Sequence, residues 1–241
     1  MVRLRPRSWL REGEMTLTLA GRTVPLRVRR NPRARRLTLT IDTDNEGAVI
    51  TIPVRVPVEE AVDMARSRAD WILSRLDALP PRVAFTEGAI VPHLGAPCLV
   101  KRNPDPRQPP HRHSGEILIP GRAEHLSRRL RDWFKSEARH HLSERARQKA
   151  DLIGHSPRRI TLRDPRSRWG SCSADGQLSF SWRLVMMPEW VLDYVVAHEV
   201  AHLRHHDHSR AFWAMTARLT QQVESPREWL RRHGPGLHRY G

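Results

Sequence analysis

The residues His198-Glu199-Val200-Ala201-His202 set two imidazoles four positions apart, with a carboxylate beside the first. At 3.6 residues per helical turn, His198 and His202 project from one face, one above the other. Two ring nitrogens so placed can share one Zn²⁺ at about 2.0–2.1 Å. Glu199 is offset by a single position. It can face the same site without ligating and take a proton from a metal-activated water. The preceding Val191–Ala197 stretch, with Leu192, Val195 and Val196, is apolar enough for a buried helix. Unpaired His and Glu are costly in such surroundings, and a metal ion is the natural compensation.

A catalytic zinc takes three protein ligands and keeps one position open. Downstream candidates are His205, His206 and His208. The first two would continue the helix and lie too close along it to close a tetrahedral site easily. His208 follows a break at Asp207 and opens a new segment, Ser209–Thr220, so it is the favoured third ligand, with His205 and His206 as alternatives. The interval from His202 to His208 matches the metzincin spacing, but His205 stands where that class needs a turning glycine.

The elements that must position these groups can be read from periodicity. Met15–Ala20, Thr23–Val28, Arg36–Ile41 and Ala48–Val54 alternate apolar and polar residues around turns at Gly21 and Asp42–Gly47, the pattern of an antiparallel meander. A helix is expected from Pro57 to Leu79, ended by Pro80-Pro81. Ile90–Lys101 and Glu116–Ile119 read as short strands. Asn103–Ser114 between them, rich in Pro, Arg and His, reads as a loop and as a domain boundary or insertion. A long helix follows from Arg122 to Ile153, with Gly154 as its C-cap. Strands are expected at Arg159–Leu162 and Gln177–Trp182, and the motif helix begins near Pro188. The expected fold is α+β, with a β-rich region over 1–120 and a catalytic domain over 121–241.

Composition narrows the class. The chain has 241 residues and a formal net charge of +16. Lys101, Lys135 and Lys149 are the only lysines among 42 basic residues, leaving 42 − 3 = 39 arginines. A basic surface attracts phosphate, so nucleic acid or nucleotide partners must be weighed. The arginines are scattered, however, and codon bias in a GC-rich genome explains them more simply. Two cysteines, Cys98 and Cys172, exclude a disulfide scaffold and a Cys-rich zinc module. No apolar run reaches the roughly 18 residues of a membrane span. The N-terminus lacks a signal-peptide pattern, and a soluble cytoplasmic protein is the expectation.

Several further motifs stand in a fixed order: Arg168-Trp169-Gly170-Ser171-Cys172-Ser173, then Trp182-Arg183-Leu184-Val185, Pro188, Val195 to Leu203 through the HExxH, and His208-Ser209 with Phe212-Trp213. This set resembles the YgjP-like metallopeptidase domain family, relatives of the SprT and WLM zincins, most strongly over residues 120–232. The resemblance implies a compact gluzincin-like α+β core. It implies one zinc per chain held by His198, His202 and His208, with Glu199 as general base. The implied activity is metal-dependent hydrolysis, chiefly of peptide bonds; some relatives are instead assigned a nucleoside-triphosphate pyrophosphatase role. The proline-rich Asn103–His113 segment and the His205-His206 pair depart from the family pattern.

Arg168 is the candidate second donor to a transition-state oxygen, since its motif strand should run beside the active helix. Its other reading is pairing with a carboxylate or packing on Trp169 or Trp182. Asp193 and Asp207 could orient a ligating imidazole, or serve as a surface helix residue and a helix cap. Cys172 reads as a packing residue rather than a nucleophile. Phe212 and Trp213 read as core contacts pinning the His208 segment, and Met186-Met187 as packing. The leading function is a zinc peptidase acting on a peptide or protein. The alternatives are a metal-dependent nucleotide pyrophosphatase, for which arginines would supply phosphate contacts, and a non-catalytic nucleic-acid-binding protein with a structural metal.

Overall fold

The computed structural model describes residues 11–43, 45–105 and 107–241, with side chains from Met15 onward. Its chain falls into two compact units, Met1–Pro81 and Arg82–Gly241.

In the first unit, strands β1 (Arg11–Leu19), β2 (Arg22–Arg30), β3 (Thr38–Asp42) and β4 (Gly47–Ile52) form a sheet in the order β1-β2-β4-β3. The β1–β2 hairpin turns at Ala20-Gly21, both at positive φ (44° and 84°), as a tight right-twisted hairpin requires. The sheet is not the expected antiparallel meander, because β4 lies parallel to β2 and antiparallel to β3. The loop after β2 carries β3 out to the edge, and the next turn folds β4 back into the centre. Its Ala48, Val49, Ile50 and Ile52 are accordingly all buried, as befits a central strand paired along both edges. The segment expected as one helix is two, α1 (Val58–Ser67) and α2 (Ala69–Asp77). Arg68 leaves helical geometry between them, and the Ser67 hydroxyl donates to the Met64 carbonyl at 3.0 Å, a local competitor of the helical ladder. Ala61, Ala65, Ile72 and Leu76 bury against Val24, Leu26, Val28, Ile50 and Ile52.

The second unit begins with β5 (Ile90–His93), β6 (Ala96–Asn103), β7 (His111–His113) and β8 (Glu116–Pro120) in the order β5-β6-β8-β7. This repeats the topology of the first sheet: a hairpin at a positive-φ pair, here Leu94-Gly95 (50° and 81°), then a parallel pairing of β6 with β8. The proline-rich Asn103–Ser114 stretch is therefore an excursion within one sheet. It carries the edge strand β7 and is not a domain boundary. Helix α3 (Leu126–Asp151) follows, then β9 (Arg159–Arg163), β10 (Gly170–Cys172) and β11 (Gln177–Ser181) in the order β10-β11-β9. Helices α4 (Glu189–Ala201), α5 (Arg210–Leu219) and α6 (Glu224–Leu237) complete the unit.

The division between the units differs from the 120/121 boundary expected from sequence. Val91, Cys98, Val100, Ile117 and Ile119 of the β5–β8 sheet bury in the same core as Leu130, Phe134, Ala138 and Leu142 of α3 and as α4. Burial partner, not loop composition, decides membership of a unit. Helix α4 sits centrally, with Val191, Leu192, Val196, Ala197, Val200 and Ala201 all inaccessible. Past its first turn the helix is apolar on most of its circumference and offers little solvent face. Met186 and Met187 are buried beside it, as packing residues.

One arginine is structural. Arg183, nearly buried, pairs with Asp164 at 2.8 Å, donates to the carbonyls of Leu237 (2.9 Å) and Tyr240 (2.8 Å), and lies over the Trp182 ring at 4.5 Å. It ties the end of α6 to the core. Replacing Arg183 by Met leaves both carbonyls without their donor and should cost about 2 kcal/mol, lowering the melting temperature by roughly 4–8 °C. Thermal unfolding followed by circular dichroism checks this; an unchanged midpoint contradicts the role.

Candidate metal centre

Helix α4 starts after Pro188, whose carbonyl accepts from Val191 and Leu192, and it delivers the site at its other end. His198 and Glu199 occupy the last turn and His202 is the C-cap. His205 and His206 therefore do not continue the helix. The chain turns instead, with His205 N–H donating to the Ala201 carbonyl at 3.0 Å. Asp207 Oδ1 accepts from Ser209 N at 3.3 Å, and Ser209 Oγ caps α5 by accepting from Phe212 N at 3.4 Å. These caps fold the segment so that His208 comes back over α4.

Three imidazoles converge as a result. The ligand nitrogens of His198, His202 and His208 all lie within 4.8 Å of one another, and Nε2 of His198 is 3.3 Å from Nε2 of His208. Two nitrogens bound to one tetrahedral zinc at about 2.0–2.1 Å stand roughly 3.3 Å apart, so the residues fit such an ion. Phe212, fully buried on α5, packs against all three rings, with centroids at 4.9, 4.4 and 4.7 Å from His198, His202 and His208. Trp213 adds contacts to His198 and His208.

The electrostatics agree with the geometry. Burial, and then the neighbouring His202 and His208, push His198 down to about 4. Burial also lowers His202. Both rings are thus neutral near pH 7, the form that offers a lone pair to a metal. His202 Nδ1 lies 2.9 Å from the His205 carbonyl. A carbonyl only accepts, so Nδ1 carries the proton and Nε2 is left with the lone pair.

Glu199 is buried and lies against β10. A Cβ added at Gly170 would meet Glu199 Cγ at 2.5 Å and Oε1 at 2.6 Å, so only glycine admits the carboxylate there. Burial raises the Glu199 carboxyl to about 7, against the opposing pull of Arg168. Arg168 itself is exposed and joins the site through its charge; no hydrogen bond links it to Glu199 among the described residues. Its alternative packing roles fall to other residues, since Arg183 covers Trp182 and His238 stacks on Trp169 at 5.1 Å, while the charge of Arg168 acts on the Glu199 carboxylate.

Two readings are open to Asp193 and Asp207 from sequence, and neither carboxylate hydrogen-bonds a ligating imidazole among the described residues. Asp193 bonds Lys149 at 2.8 Å and Thr220 at 2.9 Å, bracing α4 against α3 and the end of α5. Asp207 shapes the turn. The orienting acceptor for His202 is a backbone carbonyl, which no side-chain pattern announces. Gly170 was within the quoted motif, but its spatial partner is 29 positions away along the sequence. Cys172, half-buried, is pushed up to about 11 by burial, Glu199 and Asp175. It stays a neutral thiol at physiological pH and packs against the core.

No curated protein matches this sequence. Among solved structures, the metallopeptidase zymogen of Pyrococcus abyssi, abylysin, shares 20% identity with a TM-score of 0.35, over 41% of this chain and 97% of that one. The sequence profile described as YgjP-like, metallopeptidase domain, matches residues 35–233. With most of the chain inside that match, the protein belongs to the YgjP-like metallopeptidase domain family.

Proposed function

We propose that the chain is a zinc-dependent peptidase in which His198, His202 and His208 hold the ion and Glu199 is the general base. The observation that carries this reading is the convergence of three imidazoles on one point, beside a buried carboxylate one position along the same helix. Neutral imidazole donors suit zinc. When bound, zinc supplies Lewis acidity, lowering the pKa of water and polarising a substrate carbonyl.

The chain's own groups account for the rest. Glu199, held near 7 by burial, takes a proton from the attacking water at its carboxylate and returns it to the departing amine nitrogen. Gly170 leaves the space that aims this carboxylate. Arg168 places positive charge at the solvent side, where negative charge develops on the substrate oxygen. Strand β10 is the outer strand of its sheet, hydrogen-bonded only to β11 among the described residues. Its second side can take an extended peptide as an added strand. That edge beside Glu199 favours a peptide over a nucleotide.

The purified chain is assayed against an unfolded protein and against nucleoside triphosphates, with zinc measured by mass spectrometry. Glu199→Gln should keep the wild-type zinc content and lose at least 100-fold in peptide hydrolysis. His208→Ala should hold one zinc fewer than wild type. Full activity in Glu199→Gln would refute the base, and zinc-dependent triphosphate hydrolysis without peptide cleavage would replace the substrate class.

Gly170→Ala tests the cradle separately. It should retain zinc, because no ligand moves, and lose at least tenfold in turnover as the new methyl displaces Glu199. Wild-type turnover in a folded Gly170→Ala protein would remove Gly170 from the account.

A further inference from the structure

A second group of metal-ligating side chains lies in the same unit and shares no residue with the first. His93 ends β5, and Glu137 and His141 sit one turn apart on α3. Their ligand atoms all lie within 4.8 Å of one another. Glu137 Oε2 is 3.3 Å from His93 Nε2 and 3.8 Å from His141 Nε2.

His93 is only 3% exposed, and both its ring nitrogens are buried without a hydrogen bond among the described residues. An imidazole always has one nitrogen that donates and one that accepts, or two that donate. A buried ring that satisfies neither is a costly exception and calls for a missing partner. Packing does not let it escape: the Trp133 ring lies at 4.9 Å, and the Leu94 amide beside it is fixed to the Val185 carbonyl at 2.7 Å. The next residue is also held, since a Cβ on Gly95 would approach Pro188 Cα to 2.8 Å. The ring is therefore locked with its Nε2 toward Glu137 and His141, both of which are partly open to solvent.

We propose that His93, Glu137 and His141 form a second binding site for a divalent transition metal of the zinc class. Two imidazoles and one carboxylate are a donor set that such ions accept, with the solvent side left for water. Burial supports it from the other direction. It holds His93 down to about 4 and lowers His141, leaving both neutral, while it raises the Glu137 carboxyl against the opposing pull of His140. A cation reverses that last penalty. One bond has to yield. Arg145 Nη1 meets His141 Nδ1 at 2.9 Å, which places the ring proton on Nε2. Ligation through Nε2 moves the proton to Nδ1 and releases that contact, while Arg145 keeps its Nη2 bond to Glu189 at 2.6 Å.

The full-length protein, stripped by a chelator, is titrated with Zn²⁺ alone and with Co²⁺ alone, with stoichiometry read by native mass spectrometry and cobalt absorption. Wild type should take two ions. His202→Ala, which disables the first site, should still take one, so the outcome does not depend on the HExxH reading. In that background, Glu137→Gln or His141→Ala should weaken the remaining ion at least tenfold; both positions are partly exposed, and circular dichroism confirms the fold. The proposal is overturned if His202→Ala takes no ion, or if its ion binds unchanged after Glu137→Gln and His141→Ala.

Discussion

Helix α4 must be buried over most of its length beyond its exposed first turn and still end in groups that cannot be left dry. Most of the second unit answers to that constraint. A predominantly apolar helix brings the greatest hydrophobic gain when it runs through the middle of the core, and α3, the 3₁₀ turn Trp182–Met186, β10, α5 and α6 all pack against it. The same centrality carries His198 and Glu199 into low-dielectric surroundings, where ionisation is disfavoured. The result is neutral His198 and His202 rings and a carboxyl poised near neutrality. The burial that stabilises the fold is thus what tunes the chemistry.

Precision at the site comes from small, local devices. Two side-chain caps, Asp207 and Ser209, turn the chain within a few residues so that His208 returns to His198. Phe212 gives the three rings a common rigid surface. Gly170 contributes by the absence of a side chain. None of these contacts is strong alone, yet together they leave each ring little freedom, which is how a preorganised site is held.

The charge of the chain is a weaker guide than it first appears. Arg183 is consumed by Asp164, two carbonyls and the Trp182 ring, and Arg145 by Glu189 and His141. Such arginines brace helices rather than present phosphate-binding forks, so an arginine total by itself does not imply a nucleic-acid surface. The two four-stranded sheets make a related point about topology. They share one strand order, and in both the central parallel pair joins strands separated by a single edge strand. Alternation along each strand is identical for parallel and antiparallel neighbours, so periodicity showed the strands but not that pairing.

Local spacing by itself determined the side-chain placement that depends on a single helix. The HExxH sets two imidazoles on one face with a carboxylate at the adjacent position wherever that helix lies, and apolar periodicity located α3 and α4 within a few residues. A break at Asp207 favoured His208 over His205 and His206 as the histidine free to return. Tertiary structure alone decided the rest, because each remaining feature is a meeting of distant segments. Gly170 faces Glu199, the His205 carbonyl orients His202 across a turn, β5–β8 joins the core of α3 rather than that of β1–β4, and His93 is buried against Glu137 and His141. A sequence encodes which residues want burial. Which of them share it is decided only when the whole core is packed.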